Sequence, residues 1–149
     1  MEWKTTEEFQ QAMQNRERAQ EKTAAGSLEH AFATAVITED SDPAAQTVIL
    51  RYTFLPTMRN AWGQGHGGAQ AMMMDHAMAA VIRTQLDHDL TPTVDLHLHY
   101  LRAARMDEPF RIRVKMERLG RSLVVMSATA WGEDPEKPCT IATGTYVLK

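Results

Sequence analysis

The sequence has 149 residues, 44% of them hydrophobic and 23% charged, which is typical of one folded domain. Its net charge of −3 at pH 7 provides no positive field for nucleic acid or an anionic membrane, so we expect neither as a partner. Cys139 is the only cysteine, which excludes an internal disulfide and a cysteine-rich zinc site. The N-terminus has no apolar signal-peptide core, and no stretch reaches the roughly 20 apolar residues of a transmembrane helix. We therefore expect a cytoplasmic protein.

The first predicted element is a helix over residues 5–24, in which Thr5 and Glu8 match a capping box. Its apolar stripe is thin, so we expect this helix to lie on the surface or to cover an edge, without a chemical role. The chain is accordingly predicted to consist of an N-terminal helical extension, residues 1–26, and one domain, residues 27–149.

Two β-rich segments follow at residues 31–37 and 47–53, with a turn signal at Glu39–Pro43 between them. After a glycine-rich loop, residues 67–84 predict a helix with almost no polar stripe, so all its sides must be buried. Alternation predicts later strands near residues 93–100, 110–117, 123–131 and 141–148, the first with Val94, Leu96, Leu98 and Tyr100 on its dry face. This order indicates an α+β fold in which an antiparallel sheet of five to six strands wraps around one helix.

Asp75 lies in the middle of the apolar helix. Burying a carboxylate among methionines and alanines is costly unless a partner or a ligand uses it. One interpretation is structural, with Asp75 reaching a partner at a helix or subunit contact. The other is catalytic, and the glycine-rich residues just before the helix favour it.

His66, Gly67 and Gly68 place small residues where this helix begins. The first backbone N–H groups of a helix have no internal acceptors and lie at its positive end. Without side chains at the two glycines, a carbonyl oxygen can approach these donors closely, as in an oxyanion hole. A plain tight turn is the alternative interpretation.

The spacing between these features constrains the active unit. Gly67 and Asp75 are eight residues apart in the sequence, which corresponds to about 12 Å along the helix axis. They cannot act on one carbonyl within a single chain, whereas two antiparallel helices related by a two-fold axis could bring Gly67 of one copy near Asp75 of the other. If both residues are catalytic, the active unit is at least a homodimer.

The segment Asn60–Gly68, Asn-Ala-Trp-Gly-Gln-Gly-His-Gly-Gly, followed by Asp75, resembles the signature of PaaI-like hotdog-fold acyl-CoA thioesterases. Residues 93–104 and 119–122 resemble strand patterns of the same family. The resemblance covers about residues 31–148. It implies a hotdog fold with a sheet around a central helix, and an assembly in which dimers often pair into tetramers.

The resemblance also implies an activity, the hydrolysis of an acyl-CoA thioester, and roles for single residues. Asp75 matches the carboxylate that acts as general base for water or as nucleophile, and the amide of Gly67 matches the one that polarises the thioester carbonyl. Asn60 and His66 match positions that orient the site or the water, and Thr93 matches one that helps to position water. No metal or cofactor is implied, apart from the CoA of the substrate.

CoA carries phosphates, so we expect cationic side chains at the mouth of the pocket. Arg121, in a Gly-Arg-Ser turn, is the first candidate, Arg102 and Arg105 come next, and Gly68 is a further contact for the substrate. Gly65 stands where the family often has a bulkier apolar residue, so the shape of this loop does not follow from the resemblance.

Two other functions fit the same fold. A hydratase or dehydratase acting on an acyl thioester would pair an acidic residue with a histidine in a different arrangement. A noncatalytic acyl-CoA-binding protein would gain little from a carboxylate beside the thioester. His97 and His99 share a strand face, but no third ligand follows at a zinc spacing, so no metal site is predicted.

Overall fold

The computed structural model describes residues 1–149, apart from the side chain of Thr23. The elements in chain order are α1 (Thr6–Ala24), α2 (Leu28–Ala33), β1 (Ile37–Asp42), β2 (Thr47–Tyr52), a 3₁₀ turn (Pro56–Met58), α3 (Gly67–Leu86), β3 (Thr93–Tyr100), β4 (Phe110–Leu119), β5 (Leu123–Trp131) and β6 (Thr140–Val147). Among the described helices, none combines the length and the apolar character that crossing a membrane requires.

The six strands form one antiparallel sheet in the order β1-β2-β4-β5-β6-β3. The central helix α3 packs against β2, β3, β4, β5 and β6. Alternate residues of the strands face it and are fully buried, among them Leu50, Ile112, Val114 and Met126. The α+β class and the hotdog arrangement, a sheet wrapped around one helix, are confirmed.

The helix α1 begins where the capping box predicts. The Glu8 amide donates to Thr5 Oγ1 at 3.4 Å, and the Glu8 carboxylate accepts from the Thr5 amide at 2.8 Å. Phe9 and Met13 are buried, and the helix packs along the edge strand β1 and against α3. As predicted, α1 covers an edge of the sheet, and it also covers one side of the central helix.

The strand predicted for residues 31–37 is wrong. Its first three residues, 31–33, belong to α2, which Ser27 caps by accepting a hydrogen bond from the His30 amide at 3.0 Å. Phe32 of this helix is buried and packs edge-on against the His76 ring of α3. A local cap and a tertiary contact therefore outweigh the β propensity of the neighbouring residues.

The turn predicted at Glu39–Pro43 is also wrong. β1 continues to Asp42 and the turn occupies residues 43–46, where the Asp42 carboxylate accepts hydrogen bonds from the amides of Ala44 and Ala45. Such polar residues can form a strand here because β1 lies at the edge of the sheet, where side chains reach water.

The predicted alternation of β3 fails at its start because of a β-bulge. Thr93 pairs with Tyr146 and Asp95 pairs with Thr145, so Val94 is an extra residue in the ladder. The bulge turns Val94 outward, where it is 56% exposed, and places Thr93 on the same face as Tyr146. The other residues predicted on the dry face are half-buried or exposed because β3 is an edge strand: Leu96, Leu98 and Tyr100.

Candidate active site

Asp75 lies halfway along α3, where the helix meets β3 and β6. Its Oδ1 accepts hydrogen bonds from Thr93 Oγ1 at 2.9 Å and from Tyr146 Oη at 3.0 Å. Its Oδ2 has no hydrogen-bond partner in the part of the chain that the structure describes. The side chain is half-buried rather than enclosed. One oxygen is therefore held in place while the other can meet a ligand or water.

Tyr146 is a site residue that the sequence pattern does not distinguish. It lies on β6 with no exposed surface, and burial, followed by the negative charge of Asp75, raises the pKa of its phenol. The hydroxyl therefore stays protonated and donates to the carboxylate. In the sequence it is one aromatic residue in an alternating strand, which is typical of any core. Only its register with Thr93 identifies its role.

The N-terminus of α3 contains the predicted glycines. His66 caps the helix, and its Nδ1 accepts from the Gly68 amide at 2.9 Å. The Gly67 amide has no acceptor among the described residues, while the Gly67 carbonyl accepts from Tyr100 Oη at 2.7 Å. A Cβ at Gly67 would lie 3.2 Å from the Tyr100 ring, so a side chain here would crowd the Tyr100 phenol. The Gly67 N–H is therefore left for an external oxygen.

Asn60 organises the loop that precedes α3. Its Oδ1 accepts hydrogen bonds from the amides of Trp62 and Gln64, both at 3.0 Å. A Cβ at Gly65 would fall 2.5 Å from the Phe54 ring, so Phe54 occupies the space that a bulkier residue would need. The loop thus keeps a tight form, and the Asn60 side-chain nitrogen has no partner within the described chain.

The structure brings the predicted site residues together in two groups rather than one. The first group is Asp75 with Thr93, joined by Tyr146; the second is Gly67 with Asn60, His66 and Gly68, joined by Tyr100. About two turns of α3, or roughly 12 Å along its axis, separate the groups. The prediction that one chain cannot bring Gly67 and Asp75 onto the same carbonyl agrees with this geometry.

Two of the arginines predicted to contact CoA lie at opposite ends of the sheet. Arg121 is exposed in the turn between β4 and β5, at the end where Thr93 begins β3. Arg102 is exposed just after β3, at the other end, and donates to the Pro138 carbonyl at 3.1 Å. Each arginine therefore lies toward a different group of site residues.

A polar cluster next to Asp75 on α3 was not predicted. His76 Nδ1 lies 2.8 Å from Tyr52 Oη, and its Nε2 lies 3.6 Å from a Glu29 carboxylate oxygen. Burial, followed by the charge of Arg83, lowers the pKa of His76 to about 3, so the ring is neutral. Glu29, His76 and Arg83 line one groove with Asp75, and its volume is about 300 Å³.

The histidines His97 and His99 are exposed on β3. Within the described part of the chain, no three His, Cys, Asp or Glu side chains come together to hold a metal. That the reaction needs neither metal nor cofactor stays a prediction.

Comparison with known proteins gives this geometry a context. The sequence model of the family described as Thioesterase superfamily matches residues 63–139, just over half of the chain. No curated protein matches the sequence.

Several solved structures share the fold. Zebra fish thioesterase superfamily member 2 is 18% identical, with a TM-score of 0.75 over 92% of this chain and 98% of that chain. A phenylacetic acid degradation-related protein from Ralstonia eutropha JMP134 is 25% identical, with a TM-score of 0.67 over 76% of this chain and 85% of that chain. A hypothetical thioesterase from Streptococcus pneumoniae TIGR4, solved with coenzyme A, is 21% identical, with a TM-score of 0.67 over 76% and 88%.

Proposed function

The chain belongs to the thioesterase superfamily, and on that premise we propose that it hydrolyses acyl-CoA thioesters to a free acid and CoA. The main support is the Asp75 carboxylate, whose Oδ1 is held by two hydroxyl donors while its Oδ2 is free within the described chain. Such a carboxylate can take a proton from water or attack a carbonyl carbon. The coenzyme A bound to the Streptococcus pneumoniae protein supports CoA as part of the ligand.

In the proposed reaction, Asp75 Oδ2 takes a proton from water while the water oxygen bonds to the thioester carbon. The carbonyl oxygen gains negative charge, which the free Gly67 N–H stabilises. The intermediate collapses with cleavage of the C–S bond, the CoA thiolate leaves, and Asp75 gives its proton to the thiolate or to water, which restores the carboxylate. Direct attack by Oδ2, which forms an anhydride that water then hydrolyses, is the second route open to this carboxylate.

Pairing of two copies is part of the proposal, because Gly67 and Asp75 lie about 12 Å apart along one helix. β3 ends the sheet and has no strand on its outer side in this chain. It carries the exposed apolar side chains of Val94 and Tyr100. Two copies related by a two-fold axis would combine the two residue groups into two equivalent sites, and two such dimers would form the larger assembly.

The remaining residues have supporting roles in this proposal. Thr93 orients Asp75, since its hydroxyl donates to the carboxylate. Asn60 and His66 hold the loop and the start of α3 in the shape that leaves the Gly67 amide free. Arg121 and Arg102 are exposed, and a guanidinium binds phosphate with two parallel hydrogen bonds, so they are the candidates for contact with CoA.

The test measures free thiol released from acetyl-, hexanoyl-, palmitoyl- and phenylacetyl-CoA by the wild type and by Asp75→Asn. We expect turnover to fall roughly 10²–10⁴-fold in the variant, because an amide neither takes the proton nor attacks. Asp40→Asn is the matched control, since it removes an exposed carboxylate from β1, at the opposite edge of the sheet, and it should keep its turnover.

The same assay separates the alternatives. Unchanged turnover in Asp75→Asn would contradict the role of this carboxylate. If acyl-CoA raised the Tm of the wild type without any thiol release, a noncatalytic acyl-CoA-binding protein would be the better description. Loss of enoyl absorbance from an unsaturated acyl-CoA, again without free thiol, would indicate a hydratase.

A further inference from the structure

The groove beside Asp75 extends along α3 beyond the proposed reacting atoms. Its volume of about 300 Å³ is at the lower end of the range for small-molecule pockets. Asp75, Ala79 and Arg83 follow one another at spacings of four residues, so one face of the helix lines the groove from the carboxylate to the guanidinium. The other apolar residues of the wall are Phe32, Met72, Leu90 and Pro92.

Arg83 is a half-buried cation without a direct partner. It forms no hydrogen bond or ion pair with any residue that the structure describes, whereas Arg16, on α1, pairs with Asp87 and Asp89. Burial lowers the pKa of Arg83, and the charge of Glu29 acts in the opposite direction from beyond ion-pair distance. A partly desolvated guanidinium without a partner is costly, and a ligand with an acceptor group would remove that cost.

Thr91 is the second unsatisfied group in this groove. The residue is only 5% exposed, and its buried Oγ1 has no hydrogen-bond partner in the described chain. It lines the groove together with Arg83. His76, also in the wall, is neutral, and its ring nitrogens face Tyr52 and Glu29. The groove therefore presents one guanidinium to whatever fills it, and its wall contains one buried hydroxyl whose hydrogen-bonding capacity is unused.

We propose that the groove holds the acyl chain of a dicarboxylic acid monothioester of CoA, with the free carboxylate bound by Arg83 and Thr91. The inference rests on the proposed thioesterase function and names its substrate class. A guanidinium offers two parallel N–H donors that match the two oxygens of a carboxylate, and the threonine hydroxyl can donate to the same group. The apolar wall covers the methylene chain between the thioester and the carboxylate.

Two carboxylates of the protein oppose a further negative charge in the groove. Arg83 would attract the ligand carboxylate over about 4 Å, whereas Asp75 lies about 12 Å away along the helix axis. At equal dielectric constant the attraction exceeds this repulsion about threefold, because Coulomb energy falls with distance. The Glu29 side chain is 60% exposed, so water and salt screen its charge. Arg83 therefore dominates at the far end of the groove.

The test compares kcat/KM for adipyl-CoA and hexanoyl-CoA, whose acyl chains have equal length and differ by the terminal carboxylate. We expect the wild type to prefer adipyl-CoA. Arg83→Met keeps the apolar stem but loses the charge, so the adipyl-to-hexanoyl ratio should fall about tenfold or more. Thr91→Val should lower the same ratio several-fold. Arg118→Met removes an exposed arginine of β4 and should keep the wild-type ratio.

The outcomes distinguish this inference from the proposed function. Equal kcat/KM for the two thioesters in the wild type, or an unchanged ratio in Arg83→Met, would overturn the substrate class and leave thioester hydrolysis in place. Arg83→Lys keeps the positive charge but loses the two parallel N–H donors of the guanidinium, so it should show an intermediate adipyl-to-hexanoyl ratio. It replaces Arg83→Met if the methionine variant does not fold. If acetyl-, hexanoyl-, palmitoyl-, phenylacetyl- and adipyl-CoA all release no thiol, both proposals are overturned.

Discussion

The two sides of α3 differ in chemistry. The side facing the sheet carries apolar residues without exposed surface: Met73, Met74, Ala77, Met78, Val81 and Ile82. The other side, facing α1, α2 and β3, carries Asp75, His76 and Arg83, and part of their hydrogen-bonding capacity is unused within the described chain. Burying a methionine contributes roughly 1.5–3 kcal/mol, so the sheet side supplies stability, while the other side keeps polar groups ready for a ligand.

The largest expected effect is a loss of stability when a residue on the sheet-facing side of α3 is truncated. Met78→Ala removes a side chain with no exposed surface and leaves a cavity, so the free energy of unfolding should fall by about 2–5 kcal/mol. Urea denaturation followed by circular dichroism measures this loss. Met72→Ala is the matched control, because it deletes the same atoms from a half-buried residue and should cost less. Equal losses in both variants would contradict the division between the two sides.

The second effect concerns the polar side. Tyr146→Phe keeps the ring in the core but removes one of the two donors to Asp75 Oδ1. A hydrogen bond to a charged group is worth about 1.5–3 kcal/mol, so kcat/KM should fall roughly tenfold or more. The rate of thiol release from acyl-CoA measures this loss.

Tyr100→Phe provides the comparison for this loss. It also removes a phenol hydroxyl, but that hydroxyl donates to the Gly67 carbonyl and not to Asp75. Its kcat/KM should fall less, because a hydrogen bond between neutral groups contributes only about 0.5–1.5 kcal/mol. If both variants lost kcat/KM equally, the effect would not come from the bond between Tyr146 and the charged Asp75.

The smallest effect tests the cover that α1 places over the polar side. Glu17 has a buried Oε1 without a hydrogen-bond partner, and burial raises the pKa of its carboxyl from 4.5 to about 7. The folded state therefore holds this proton more tightly than the unfolded chain, and stability is lost as the pH rises from about 4.5 to about 7.

Glu17→Gln should remove that loss. After a discount for solvent screening, the gain is ~1 kcal/mol, which corresponds to a rise in Tm of roughly 2–4 °C at pH 8. Near pH 4, where the carboxyl is protonated in the folded and the unfolded state, the variant and the wild type should melt together. A Tm difference that is the same at both pH values would show that charge is not its cause.

The sequence by itself determined the elements whose signals are local. α3 begins at Gly67 because a histidine cap and two glycines mark its start, and its apolar composition required burial on several sides. The alternation of apolar and polar residues in β4 and β5 predicted the ends of both strands to within two residues of the observed ends. By contrast, residues 31–37 were assigned to a strand because the contact that buries Phe32 in a helix is not local.

For the site, the sequence favoured Asp75 and Gly67, the family resemblance added Thr93, and their catalytic roles stay predictions. The spacing of the first two requires at least two copies if they act together. Only the tertiary structure decided that Thr93 and Tyr146 donate to the same oxygen of Asp75. The cause is the bulge at Val94, which turns Thr93 toward the helix. A bulge depends on the register between β3 and β6, which are far apart in the sequence. The hydrophobic alternation of either strand therefore does not predict it.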